Sequence, residues 1–172
     1  MSIILQGRRL VGACARGRQV SHLIMGGQVV WRGRWNLIAN PGFEDDSAWA
    51  LGVFTSYVTS DKTLLPHSGR RFLSGLIEND CCASQSVAIP EAGTYELAAY
   101  FASGAIDRSH MLAVYDADGQ TTLASQSWER ASAVMTWERR SLSVTIPTPM
   151  TVQVRLGGNW PRIDDVSLVR IA

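Results

Sequence analysis

The sequence predicts an all-β protein: an antiparallel β-sandwich carrying an N-terminal β-hairpin extension. Three observations predict it. Apolar and polar residues alternate over many short stretches, while helical periodicity is almost absent. The alternating stretches recur roughly every ten residues, the spacing of antiparallel sandwiches. Gly and Pro punctuate the intervals, with Asp118-Gly119 and Gly26-Gly27 standing where hairpin turns are needed.

In chain order, "IILQGRRLVG" offers a weak hairpin and "VSHLIMGGQVVWRG" a stronger one around Gly26-Gly27. Residues 4–11 and 24–31 are faintly alike, over too few positions to count as a repeat. An isolated hairpin is marginal in water. This start must therefore pack on the remainder or on a partner, with Trp31 and Trp35 as anchors. "RFLSGLI" and "ASQSVAIP" read as strands, and "TYELAAYFASG" puts Tyr95, Leu97, Ala99 and Phe101 on one face. "HMLAVYDADGQTTLASQSW" reads as two strands around a turn at Asp116 to Gly119. "RRSLSVTIP" presents Leu142, Val144 and Ile146 to one side. "MTVQVRLGG" presents Val152, Val154 and Leu156, and "DDVSLVRI" presents Val166 and Leu168.

A chain of 172 residues has room for one domain with an appendage, read here as 1–35 and 36–172. With 46% apolar and 18% charged residues it belongs among globular, not disordered, chains. No apolar run reaches the roughly 18 residues of a membrane helix, so no membrane insertion is expected. The apolar run before Gln6 is too short for a signal-peptide core, so synthesis in a cytoplasm without export by that route is expected. The net charge of +1 hides an asymmetry: six Arg and no acid precede Glu44, and 15 acids against nine Arg and one Lys follow. Because those Arg are scattered among apolar residues, docking on other proteins is expected of residues 1–35 rather than nucleic-acid binding. Cys81 and Cys82 are adjacent and would bridge only with strain, which points to reduced thiols.

"NLIANPGFEDDSAW" places Glu44, Asp45 and Asp46 directly behind a turn, either as a solvated loop or as metal ligands. Together with "HSGRRFLSGL", "ASQSVAIPEAGTYELAAYFASG", "TWERRSLSVTIP" and "RIDDVSLVRI", in that order, it resembles the galactose-binding-like jelly rolls of carbohydrate-binding modules, over residues 36 to 171. The resemblance implies a structural calcium where the first strand meets the last, held by Glu44 and by Asp164 or Asp165, with Asn40 and Gly42 adding oxygens. Six to eight oxygens suit Ca²⁺. The alternative is that Glu44 only caps a turn, with Asp164 and Asp165 solvated. Asp45 and Asp46 are expected in solvent.

Sugar recognition needs aromatic platforms and polar side chains for hydroxyls. Of six Trp, Trp49 and Trp137 are expected to pack inward, while Trp128 in a polar stretch and Trp160 in "GGNWPR" are the platform candidates. Tyr57 and Tyr100 are weaker ones. Arg70, Arg71 and Asp80 are polar candidates, with Asn79, Arg130 and Arg162 unranked beside them. Two facing carboxylates for glycoside hydrolysis are not evident, nor is a nucleophile elbow, so no enzyme is expected. A Ser-His-Asp triad is a matter of geometry that sequence leaves open.

The N-terminal hairpin resembles short segments of tailed-phage tail and baseplate proteins. That resemblance implies a virion protein, docked on other tail proteins through residues 1–35, present in several copies or as a homo-oligomer, and binding a host-surface glycan. The alternative is a purely structural decoration of the virion without a working sugar site.

Overall fold

The computed structural model describes the backbone of residues 4–5, 8–9, 13–15, 18–20, 22–25, 28–32, 35–76, 78–104, 108–130 and 135–172. Side chains are described for 35–76, 82–104, 108–129 and 135–172. All regular elements among these residues are strands. Before the sandwich come β1 (Ile4–Leu5), β2 (Arg8–Arg9), β3 (Ala13–Ala15), β4 (Arg18–Val20), β5 (His22–Met25) and β6 (Gln28–Arg32). They pair in sequence as three separate two-stranded sheets. Both expected hairpins are present, and β3–β4 is a third between them, where no alternation had marked it.

The sandwich begins with three short strands, β7 (Ala50–Leu51), β8 (Thr55–Val58) and β9 (Phe72–Gly75). Seven longer ones follow: β10 (Glu78–Ile89), β11 (Gly93–Ser103), β12 (Arg108–Asp116), β13 (Thr122–Arg130), β14 (Glu138–Ile146), β15 (Met150–Asn159) and β16 (Pro161–Arg170). One five-stranded sheet runs β13-β12-β15-β10-β7 and the other β14-β11-β16-β9-β8, and every pairing is antiparallel. The protein is an all-β antiparallel sandwich.

The alternation seen in the sequence explains the core. Tyr95, Leu97 and Phe101 from one sheet meet Leu112, Val154 and Leu156 from the other, all buried. The turn after β12 forms where Asp-Gly marks it: Asp116 Oδ1 accepts from the N–H groups of Gln120 and Thr121, and Gly119 takes φ 69°. A second, smaller cluster of Leu64, Phe72 and Ala102 lies outside this core, covered by Val58, Met135 and Trp137. Hence Ala102 is buried on the face of β11 opposite Leu97.

The first motif is stitched to the last. Leu37 N–H donates to Leu168 O, Asn36 Oδ1 accepts from Leu168 N–H, and Val166 N–H donates to Pro41 O. The buried amide of Gln85 bonds Ala39 in both directions, at 2.9 Å each. These bonds carry residues 36–43 along the edge of the sandwich and deliver residues 44–49 beside β7.

Candidate functional site

Three of the four residues proposed as metal ligands converge on one loop. Glu44 Oε1 accepts from the N–H groups of Arg70 (2.9 Å) and Arg71 (3.3 Å). Asp164, fully buried, accepts at Oδ2 from His67 N–H (2.8 Å) and Ser68 N–H (3.2 Å), and at Oδ1 from Asp165 N–H. Asp165 accepts from Ser68 Oγ and meets His67 Nδ1, both at 2.6 Å. Gly69 is required here: its φ is 64°, and a Cβ would stand 2.1 Å from Glu44 Oε1. Asn40 serves its own turn instead, accepting from Glu44 N–H and donating to Asp45 and Ser47. The 67–71 loop is thus clamped between the first and last motifs by carboxylates that accept backbone N–H groups.

Burial pushes the Asp164 carboxyl up to about 7, against the pull of the Ser68, Asp165 and His67 N–H groups and with the help of the Asp165 charge. The three carboxyl side chains gather around Gly42, where a Cβ would lie 3.6 Å from Asp165 Oδ1, 3.8 Å from Asp164 Oδ1 and 3.9 Å from Glu44 Cγ, and carboxylate oxygens are the ligand class calcium takes. As the side chains stand, no group of three or more His, Cys, Asp or Glu among the described residues is arranged to hold a metal. Closing a site would require these carboxylates to turn from the loop toward the ion.

His67, Ser68 and Asp165 bring a catalytic trio together in the wrong order. The Ser68 hydroxyl donates to the carboxylate and not to the imidazole, so nothing activates it as a nucleophile. The His67 ring is also stacked on Tyr100, with centroids 3.5 Å apart, and edged by Trp137. It is a structural wedge between the 67–71 loop and these two rings.

Beside this clamp, at the edge where β7 and β8 lie, an open groove of about 480 Å³ is lined by Asp46, Trp49, Leu51, Thr55, Ser56, Tyr57 and Arg71. Arg71 organises it: Nε donates to Phe43 O, NH2 pairs with Asp46 at 2.8 Å, and the guanidinium lies 4.9 Å over the Tyr57 ring. Trp49 closes the floor, with Nε1 donating to Asn40 O. The Tyr57 hydroxyl is buried without a hydrogen-bond partner among the described residues, and burial pushes its phenol pKa up. Between β7 and β8, Phe54 is 63% exposed and holds φ 54°, a conformation costly for a bulky side chain.

The six candidate sugar contacts do not form one site. Tyr57 and Arg71 share the groove, while Arg70 is exposed and gives its backbone N–H to Glu44. Trp160 is 40% exposed in the connection between β15 and β16. Asp80 lies in the irregular start of β10, and its side chain is outside the described residues, as is that of Arg130. Trp128 differs from the exposed platform expected of it. It sits on β13, the edge opposite β7, four strand spacings or about 19 Å away. Its ring meets Phe101 edge-on at 4.8 Å and is covered by Arg140. Arg162 differs too: it is buried and holds Asp61. Trp49 packs inward as expected, whereas Trp137 is only partly buried and covers the smaller cluster outside the core. The groove residues missed in the sequence (Asp46, Leu51, Thr55 and Ser56) carry no periodic signal there. Only the paired edges assemble them.

No family model and no curated protein sequence matches the chain. Solved structures share its fold. The carbohydrate-binding module TmCBM61, in complex with β-1,4-galactotriose, is 22% identical over 80% of this chain and 99% of that one, with a TM-score of 0.60. A cyclase from Fischerella sp. TAU is 13% identical over 80% of this chain and 97% of that one, with a TM-score of 0.61. The enzymatically active domain of bacteriophage CBA120 tailspike protein 4 is 15% identical over 79% of this chain and 21% of that one, with a TM-score of 0.51. At such identities the likeness establishes the jelly roll alone.

Proposed function

We propose that this chain is a non-catalytic carbohydrate-binding protein of a tailed-phage tail or baseplate, made in the host cytoplasm. Its sandwich holds a host-surface glycan, and residues 1–35 dock it on other virion proteins. The groove carries the reading. It offers the hydroxyls of Thr55 and Ser56, an Arg71–Asp46 pair and the Tyr57 ring. Sugar hydroxyls donate and accept at once, so they suit such a mixed set. The Arg–Asp pair is neutral as a unit, which favours a neutral glycan. TmCBM61 and the tailspike add that this fold carries galactotriose in one protein and belongs to a phage particle in another.

Tyr57→Phe tests the site. The unpartnered hydroxyl costs stability unless a ligand uses it, about 1–3 kcal/mol for a buried unsatisfied group. Its removal should leave the melting temperature unchanged or raise it, while glycan affinity on an array of host polysaccharides falls by up to about tenfold. Unchanged affinity in a variant of a glycan-binding wild type would move the site away from the groove. The structural-decoration reading is favoured by one observation: Arg71 already covers a face of Tyr57. Absence of binding to any polysaccharide would establish that reading in its place.

Calcium belongs to the same proposal, with Glu44, Asp164 and Asp165 as its carboxylates. Without an ion, the raised pKa of Asp164 stabilises the fold below about pH 4, and that contribution is lost as pH rises through about 7. A bound ion would favour the ionised form and cancel the loss. Melting curves with calcium and with chelator should therefore nearly coincide at acid pH and separate above neutrality. A ligand at a hundred times its dissociation constant adds about 2.7 kcal/mol. Asp164→Asn should abolish the separation. Curves that coincide at every pH would leave the carboxylates as loop clamps only.

A further inference from the structure

The six short strands before the sandwich repeat one register beside their turns, and a bulge between Leu23 and Ile24, which pairs Leu23 with Trp31, breaks it farther out in the third hairpin. Ile4 pairs with Arg9, Cys14 with Gln19, and Ile24 with Val29. Leu5 pairs with Arg8, Ala15 with Arg18, and Met25 with Gln28. Each pairing recurs after ten residues, twice. The two residues enclosed are Gln6-Gly7, Arg16-Gly17 and Gly26-Gly27, so glycine holds the second place every time, as a tight two-residue connection favours. Apolar residues recur with them: Ile3, Ala13 and Leu23 before the hairpin, and Leu10, Val20 and Val30 after it. Residues 4–11 and 24–31 are alike because they stand two periods apart. The middle copy is the degenerate one, with Ala15, Arg16 and Gln19 in place of more regular residues.

We infer that residues 3–32 form a tandem array of three ten-residue hairpin units whose open edges pair with the same array in a second copy of this chain. Among the described residues none of β1 to β6 pairs with the sandwich, and each hairpin remains a two-stranded sheet. Such a sheet is marginal by itself, and repeat units gain stability only from neighbours. Unpaired strand edges are templates for a further strand. An array with an edge every ten residues is matched along its whole length by another array of the same period, which makes a second copy the occupant. The inference deepens the assembly role of this segment and is independent of the glycan reading.

Charge supplies the test. The segment carries six Arg and no acid before Glu44, so two arrays repel at low salt. Screening removes most of that repulsion, since the Debye length is about 8 Å at physiological ionic strength. The mass of the full-length chain, measured by sedimentation along a rising salt series, should therefore increase with salt. Docking on an acidic surface or on nucleic acid would weaken instead. Deleting residues 14–23 removes one period and joins Ala13 to Ile24 in register, so association should persist. Deleting residues 14–18 breaks the period, and association should be lost. Tryptophan-monitored melting and glycan binding on the same samples separate a failed array from a failed sandwich. A monomer at every salt concentration, association weakened by salt, or equal loss from both deletions would overturn the inference.

Discussion

Arg162→Ala is expected to unfold the domain at a much lower urea concentration than the unsubstituted chain. The side chain is 2% exposed. It pairs with Asp61, and NH1 donates to Gly75 O at 2.9 Å and Trp160 O at 3.0 Å. One guanidinium therefore ties the 61–64 bridge, the end of β9 and the connection before β16 to one another. Truncation would leave two carbonyls and the Asp61 carboxylate, whose side chain is 20% exposed, without their donor. Removing one partner of a buried pair costs about 3–5 kcal/mol. Against a total of about 5–15 kcal/mol, that is a large fraction. Arg162→Lys keeps the charge and loses the fork, so it should fall between the two. A shift below about 1 kcal/mol would mean that the pair is effectively solvated.

The second large effect separates two tryptophans that look equivalent in the sequence. Trp128→Ala should cost about 3 kcal/mol, the lower end of the range for a buried aromatic, because Phe101, His110 and Arg140 pack on its ring. Trp160→Ala should stay within about 0.5 kcal/mol, as exposed positions do. Neither should alter glycan binding if the groove beside Tyr57 is the site, since Trp128 lies on the opposite edge. Loss of binding in Trp160→Ala alone would move the site to the β15–β16 connection. Comparable destabilisation in both variants would contradict the packing described for them.

Local signals carried the strands. Alternation identified the inward residues of β11, β14, β15 and β16 because a strand's two faces meet different environments, and that difference is written at every second position. Asp118-Gly119 was legible because only certain residues tolerate the backbone its turn needs. The family resemblance also implied that the first strand meets the last, and the bonds between Leu37 and Leu168 and between Pro41 and Val166 join those motifs. The third hairpin escaped notice because Ala15, Arg16 and Gln19 blur the pattern, whereas backbone register does not depend on side-chain type.

The sequence by itself determined the all-β class, the inward faces of the long strands and the acid-free start, all of which depend on residues close together in the chain. Only the tertiary structure decided which side chains share a site. Residues 46–57 and Arg71 come together because two short edge strands, β7 and β8, close over the turn that Glu44 clamps. Arg162 is buried and Trp128 partly buried because strands distant in the chain, β11, β14 and β9, cover them. Exposure is a property of neighbours, and neighbours set by sheet pairing leave no mark in the local sequence.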